Sequence, residues 1–245
     1  MSPRAEFLGI PLDALTMAQS VAACDELIRS GGQHQHVVLN AAKVVAAHDD
    51  TALMSVIKGC SLINADGQSV VWAARFLGQQ VPERVTGIDL MEQLWALAAT
   101  AGYRVSLLGA SAEVVELAAA AARDVGVNVV GCRDGFWTLD EEEAVVAQVA
   151  AQRPHLLFVA IPSPRKEFFL AAHRQALGVN LAMGVGGSFD VVAGITHRAP
   201  GWMQKSGLEW LYRLVQEPRR MFKRYLVGNS RFMAMVLKQR VSTRS

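Results

Sequence analysis

The chain has 245 residues, 51% hydrophobic and 19% charged, with a formal net charge of +2. That length suits one large α/β domain, or one domain with an appendage. No apolar run approaches the ~18 residues of a bilayer-spanning helix, and the start Met1-Ser2-Pro3-Arg4 lacks the build of a signal peptide. Cys24, Cys60 and Cys132 are scattered, odd in number and form no CxxC, which excludes a disulfide framework and predicts reduced, buried thiols in a cytosolic protein.

Short β-rich runs alternate with Ala-rich helical stretches. His36–Leu39 reads as a strand and about 41–58 as the helix after it. Ser61–Ile63 follows, then helices near 68–78 and 89–101. Arg104–Leu108 leads into a helix at 111–124, Asn128–Gly131 into one at 140–151, and Leu156–Ile161 into one at 164–176. Asn180–Met183 closes the series. Alternation of this kind predicts an α/β fold, a mostly parallel sheet with helices on both faces, over residues 1–196. A helical appendage over 197–245 follows, with Pro200-Gly201 as the natural boundary.

The charge divides along the same line. Residues 197–245 hold eleven Lys/Arg against two acids, while 1–196 hold thirteen basic and twenty acidic side chains. An acidic body with a basic, aromatic tail points to phosphates, on lipid, nucleotide or nucleic acid.

Ligands of parallel sheets bind beyond the carboxyl ends of the strands, so the residues just there carry the chemistry. Asp66, in Asn64-Ala65-Asp66-Gly67, either caps the next helix or takes a proton from a hydroxyl nucleophile. Arg84, in Arg84-Val85-Thr86-Gly87-Ile88-Asp89, either clamps a phosphate or is a solvated loop residue. The turn Met183-Gly184-Val185-Gly186-Gly187-Ser188-Phe189-Asp190 lets backbone N–H groups approach an anion. A nicotinamide fingerprint would need glycine at 189 and an acid ending a strand about twenty residues on; neither is present. His34 and His36 share a face if extended, but no third ligand follows, which predicts a satisfied surface pair and no metal site. Asp140–Glu143 reads as a solvated first helical turn. There is no DxD-like carboxylate pair.

In the tail, Arg220, Arg224, Arg231 and Lys238 fall within about 40° of one another on a helical wheel. Met221, Phe222, Tyr225, Leu226, Phe232, Met233, Val236 and Leu237 fill a sector roughly 160° wide beside them. Such a helix lies on anionic lipid, or packs its apolar face on the body, or does both. Glu217-Pro218 starts it, and Gly228-Asn229 leaves open a second break and two short helices.

Taken in order, Leu39-Asn40-Ala41-Ala42-Lys43, Ala65-Asp66-Gly67, Arg84–Leu90, Gly135-Phe136-Trp137, Pro164-Arg165-Lys166-Glu167, Met183–Gly194, Arg198-Ala199-Pro200 and Gly207–Leu214 resemble a bacterial glycosyltransferase family. It is the WecG/TagA/CpsF type, typified by N-acetylmannosaminyl- and N-acetylmannosaminuronyltransferases of teichoic acid, enterobacterial antigen and capsule synthesis. The resemblance implies a Rossmann-like body with a membrane-engaging appendage, and transfer with inversion from a UDP-sugar donor to a polyprenyl-diphosphate-linked acceptor, with no cofactor and no required metal. It implies Asp66 as base, Asn40 as a holder of donor or acceptor, and Arg84 against phosphate. It also sets Lys166, Glu167, Gly184, Gly186, Gly187 and Asp190 around the donor, and Arg213, Arg220 and Arg224 over the diphosphates. Many members have Gln where this chain has Lys166 and Gly where it has Pro162, so the donor is carried over only as a hexose or hexose derivative, with a plain or acidic hexose fitting at least as well as N-acetylmannosamine. The implied location is peripheral, on an anionic membrane at the cytoplasmic face of the bacterial inner membrane, with a homo-oligomer left open. Two other classes compete: a nicotinamide oxidoreductase, weakened by the missing fingerprint, and a nucleic-acid binder, weakened by aromatics at helical core spacing and the lack of any nucleic-acid motif.

Overall fold

A computed structural model describes residues 4–205, 211–212, 215 and 218–242, with 204–205 and 218–227 described by backbone alone. The chain opens with elements that the sequence reading did not anticipate. β1 (Arg4–Phe7) and β2 (Ile10–Asp13) form an antiparallel hairpin, and α1 (Met17–Arg29) starts at a capping box between Thr16 and Gln19.

The expected alternation follows. β3 (His34–Leu39) leads into α2 (Ala41–Asp49) and α3 (Thr51–Lys58). The single helix expected over 41–58 is therefore two. Asp50 takes an extended conformation that ends α2, and its carboxylate caps α3 by accepting from the N–H groups of Ala52 and Leu53. Next come β4 (Leu62–Ala65), α4 (Gln68–Phe76), α5 (Gly87–Ala101), β5 (Arg104–Gly109), α6 (Ala112–Asp124) and β6 (Asn128–Arg133). Then follow α7 (Glu142–Ala151), β7 (Leu156–Ala160), α8 (Arg165–Ala172), α9 (Arg174–Leu177), β8 (Leu181–Gly184), α10 (Ser188–Val192), α11 (Gly201–Lys205) and α12 (Pro218–Ser242).

Six strands form one parallel sheet in the order β4-β3-β8-β7-β5-β6. All their carboxyl ends lie on one edge, as a parallel sheet requires. One face, through Leu62, Leu107, Phe158 and Met183, packs on α1, α5 and α6. The opposite face is covered in two patches. Val37, Leu39 and Ile63 meet α2, α3 and the hairpin, while Leu157, Val159 and Ala182 meet α7 to α9. This is the Rossmann-like three-layer arrangement that the alternation predicts.

The hairpin has a specific use. β4 is an edge strand, and the Asp13 carboxylate accepts the Ile63 N–H at 2.7 Å while pairing with Arg4 at 3.0 Å. Arg4 also donates to the Cys60 carbonyl. A charged side chain thus fills a backbone donor of the edge and blunts it toward further strand pairing.

α12 runs unbroken through Gly228-Asn229, so of the two forms left open by the sequence the single helix is the one found. Glycine costs a helix about 1 kcal/mol, and packing against the body outweighs it. Phe232, 1% exposed, and Val236 join the core around Phe7 and Val44, with the rings of Phe7 and Phe232 6.2 Å apart. Arg231 makes two hydrogen bonds to Asp49, and Gln239 accepts from the Leu8 N–H. Phe232, Val236 and the partly buried Met235 therefore tie α12 into the body's hydrophobic core. Among the described residues no helix is long and apolar enough to cross a membrane.

Replacing Phe232 by Ala should cost about 3–5 kcal/mol in urea unfolding, the range for a buried aromatic. Met233→Ala, on the exposed side of the same turn, should fall within about 0.5 kcal/mol of the parent. Equal small effects would show that α12 contributes nothing to the core.

Candidate active site

Two neighbouring strands end side by side, Leu39 of β3 opposite Ala65 of β4. The next residue of the first is Asn40, the N-cap of α2, whose side-chain oxygen accepts the Lys43 N–H at 3.0 Å. The next residue of the second is Asp66, whose N–H donates to the Leu39 carbonyl at 2.8 Å. Gly67 comes so close that a Cβ built on it would lie 3.5 Å from both Cα and Cβ of Asn40. Asn40 and Asp66 thus share the mouth of the sheet, both half-buried. The residue after it, Gly67, is the N-cap of α4 and has no side chain with which to cap that helix.

The loop carrying Arg84 is tied to the same mouth, because the Val85 N–H donates to the Ala65 carbonyl at 2.8 Å. Thr86 then caps α5 through the N–H of Asp89. Arg198 reaches back across the fold and grips Asp89 with both guanidinium nitrogens, at 2.5 and 2.9 Å. Burial pushes the Asp89 carboxyl up, but the hydrogen bonds from Arg198 and Thr86 and the charges of Arg198 and Arg84 hold it below the usual range. Sequence reasoning quoted Arg198 only as part of a motif; its partner, far away in the chain, was not legible.

A second constellation lies under β3, β8 and β7. Lys43 of α2 and Glu167 of α8 form an ion pair at 2.7 Å, both buried. Ser163 donates to the other Glu167 oxygen at 2.8 Å, and the Lys166 ammonium stands 3.9 Å from the first. Gln35 of β3 donates to the Glu167 backbone carbonyl. Burial raises the Glu167 carboxyl, yet the charges of Lys43 and Lys166 and the bonds from Lys43 and Ser163 outweigh it, leaving it below the usual range. Lys43 was quoted in a motif but not singled out as a site residue.

Lys166 connects this pair to the glycine turn. Its stem lies along Gly184, where an added Cβ would come within 2.8 Å of its Cδ, and its ammonium approaches Gly186. Gly186 has φ +56°, and Gly187 is the N-cap of α10. An added Cβ on Gly187 would lie 3.7 Å from a carboxylate oxygen of Asp190. Lys166, Gly184, Gly186, Gly187 and Asp190 therefore stand together at the end of β8. Arg213 and the side chains of Arg220 and Arg224 lie outside the described residues.

The histidine pair is not a surface pair. His34 is half-buried and hydrogen-bonded by Ser30 and Ser61, whereas His36 is fully buried against Asn64. Burial pushes the His36 pKa down to about 4, so it is neutral at physiological pH. Among the described residues no group of three His, Cys, Asp or Glu side chains is placed to hold a metal ion.

Glu167→Gln would leave the Lys43 ammonium buried without a carboxylate. Removing one partner of a buried pair costs about 3–5 kcal/mol, so urea unfolding at pH 7 should show that loss. Replacing both Lys43 and Glu167 by Met should recover most of it. The folded pKa of Glu167 lies below its unfolded value of about 4.3. Its stabilisation is thus fully present above about pH 5, and the gap between parent and Glu167→Gln should close as pH falls through the folded pKa. A gap below about 1 kcal/mol at pH 7 would contradict the pairing.

A family model described as glycosyl transferase WecG/TagA/CpsF family matches residues 5–245, nearly the whole chain, so both constellations and the C-terminal helix lie within it. The chain belongs to that family and is a glycosyltransferase of cell-surface polysaccharide synthesis.

Proposed function

We propose that this chain moves a hexose or hexose derivative from a UDP-sugar to a polyprenyl-diphosphate-linked sugar, with inversion at the anomeric carbon and Asp66 as general base. The observation that carries the reading is Asp66 itself, a half-buried carboxylate at the mouth of a parallel sheet, beside Asn40, with the following helix capped by Gly67. An acidic side chain so placed suits proton abstraction from an incoming hydroxyl.

The step balances simply. The acceptor oxygen attacks the anomeric carbon, its proton passes to the Asp66 carboxylate, and the bond to UDP breaks with the electron pair leaving on the diphosphate. Charge growing on that diphosphate is met by fixed donors: the backbone of the Gly184–Gly187 turn, the Lys166 ammonium beside it, and Arg84 on the loop tied to β4. Arg213, Arg220 and Arg224 supply further cations in this reading. Glu167 acts beneath the donor by fixing Lys43 and Lys166 rather than by touching the sugar, since its oxygens are taken up by Ser163 and Lys43. Lys166 favours a donor with an acidic or strongly hydrogen-bonding hexose. The protein works as a peripheral enzyme on an anionic membrane, at the cytoplasmic face of the bacterial inner membrane, and needs no nucleic acid.

UDP at about 100 times its Kd should stabilise the fold by roughly 2.7 kcal/mol in a thermal-shift experiment, with no shift from NAD(P)H. Asp66→Asn should lower turnover by about 10²-fold or more while keeping the parent's thermal midpoint and UDP response. Full activity of Asp66→Asn would remove Asp66 from the chemistry, and equal stabilisation by NADH would favour the oxidoreductase.

A further inference from the structure

The inner side of α4 is buried through Val70, Val71, Ala73 and Ala74, but its outer side presents two large aromatics one helical turn apart: Trp72, 55% exposed, and Phe76, 49% exposed. The guanidinium of Arg240, from α12, lies over the Phe76 ring at 5.3 Å. That contact joins α4 and α12 into one surface. On α12 the turn that sends Phe232 and Val236 into the core sends Met233 and Leu237 outward, both more than half exposed.

We infer that this joint face of α4 and α12 is a docking surface for an anionic lipid bilayer. The inference rests on the peripheral-membrane reading above and deepens it, because it assigns part of the contact to the body rather than to the basic segment alone. Charge complementarity selects the occupant. Residues 218–242 hold seven Lys/Arg and no acid, and α4 holds no acid, its one cation Arg75 being bonded to the carbonyls of Val81 and Pro82. Asp49 answers Arg231, while Lys238 stands exposed on the outer side. Exposed Trp and Phe beside Leu, Met and cations match the interfacial zone of a membrane, where an aromatic ring lies among the headgroups and a cation meets lipid phosphate. A neutral or basic protein partner would leave those cations unanswered.

α4 begins at Gly67, next to Asp66, and at 1.5 Å rise per residue Trp72 and Phe76 lie about 8 and 14 Å along it. The sheet mouth at Asp66 therefore lies at the start of the helix that carries the aromatics.

The test uses the full-length protein and vesicles of phosphatidylcholine, alone or with about a third phosphatidylglycerol. The parent should bind the anionic vesicles and not the neutral ones. Trp72→Ser/Phe76→Ser should lower the partition coefficient by about tenfold or more, with an unchanged thermal midpoint and unchanged transfer to a water-soluble acceptor. Should that variant fail to fold, Met233→Ser/Leu237→Ser decides alone, with the same expected loss. Parent-like vesicle binding by the folded variants overturns the inference and leaves the transfer reading intact. Failure of the parent to transfer sugar, with vesicle binding lost in the variants, rejects the transfer reading and keeps the surface. A dimer in sedimentation velocity that the variants abolish, with vesicle binding unaffected, assigns the face to a second copy and also overturns the inference.

Discussion

Beneath the mouth of the sheet a lysine and a glutamate stand 2.7 Å apart, both almost wholly out of water. Two charges in that position forfeit their hydration, and a well-packed apolar pair would hold the helices together about as well. What the ion pair supplies is register. Lys43 sits in the first turn of α2, where its N–H is held by Asn40; Glu167 sits in the first turn of α8, next to Lys166. Fixing one charge against the other fixes Asn40 against Lys166, across β3, β8 and β7. Ser163 and Gln35 complete the clamp from the loop and from β3. The loop bearing Arg84 is fixed independently, by a backbone bond to β4 and by the grip of Arg198 on Asp89.

The parallel strands were legible because strands buried on both faces read as continuous apolar runs, such as Leu156–Ala160, and the helices between them as Ala-rich amphipathic stretches. The opening hairpin was not legible. Arg4-Ala5-Glu6-Phe7 is short and carries two charges, and it becomes a strand only because Asp13 finds the edge of β4. α1 escaped for a related reason: of its thirteen residues only Ser20, Cys24 and Ile28 are buried, a stripe with one strongly apolar member. Asp50 carried a readable cap signal inside a run that looked uniformly helical, and the signal governed the backbone there.

The same division holds for the candidate site. Residues at or just after a strand end, Asn40, Asp66 and Gly184 to Asp190, could be found from position alone, because a parallel sheet sends all its strand ends to one edge. Partners joined only by tertiary structure could not. Nothing local to Lys43 announces Glu167, and nothing local to Asp89 announces Arg198. His36 shows the converse error: two histidines in alternation look like an exposed face until the strand is found inside the sheet, between β4 and β8, where His36 is buried. In α12 the wheel set a basic stripe beside a broad apolar sector. It could not divide that sector into the part that meets Phe7 and the part that faces outward.

The central claim is that the mouth formed by Asn40 and Asp66 performs a single displacement on a UDP-sugar. It is tested most directly by the stereochemistry of the product. Purified full-length protein would be given a panel of UDP-hexoses, neutral and acidic, with a polyprenyl-diphosphate-linked acceptor, and the new linkage read by NMR. A product with its anomeric configuration opposite to that of the donor is predicted. Retained configuration would contradict the account, as would absence of transfer from every UDP-sugar in the panel.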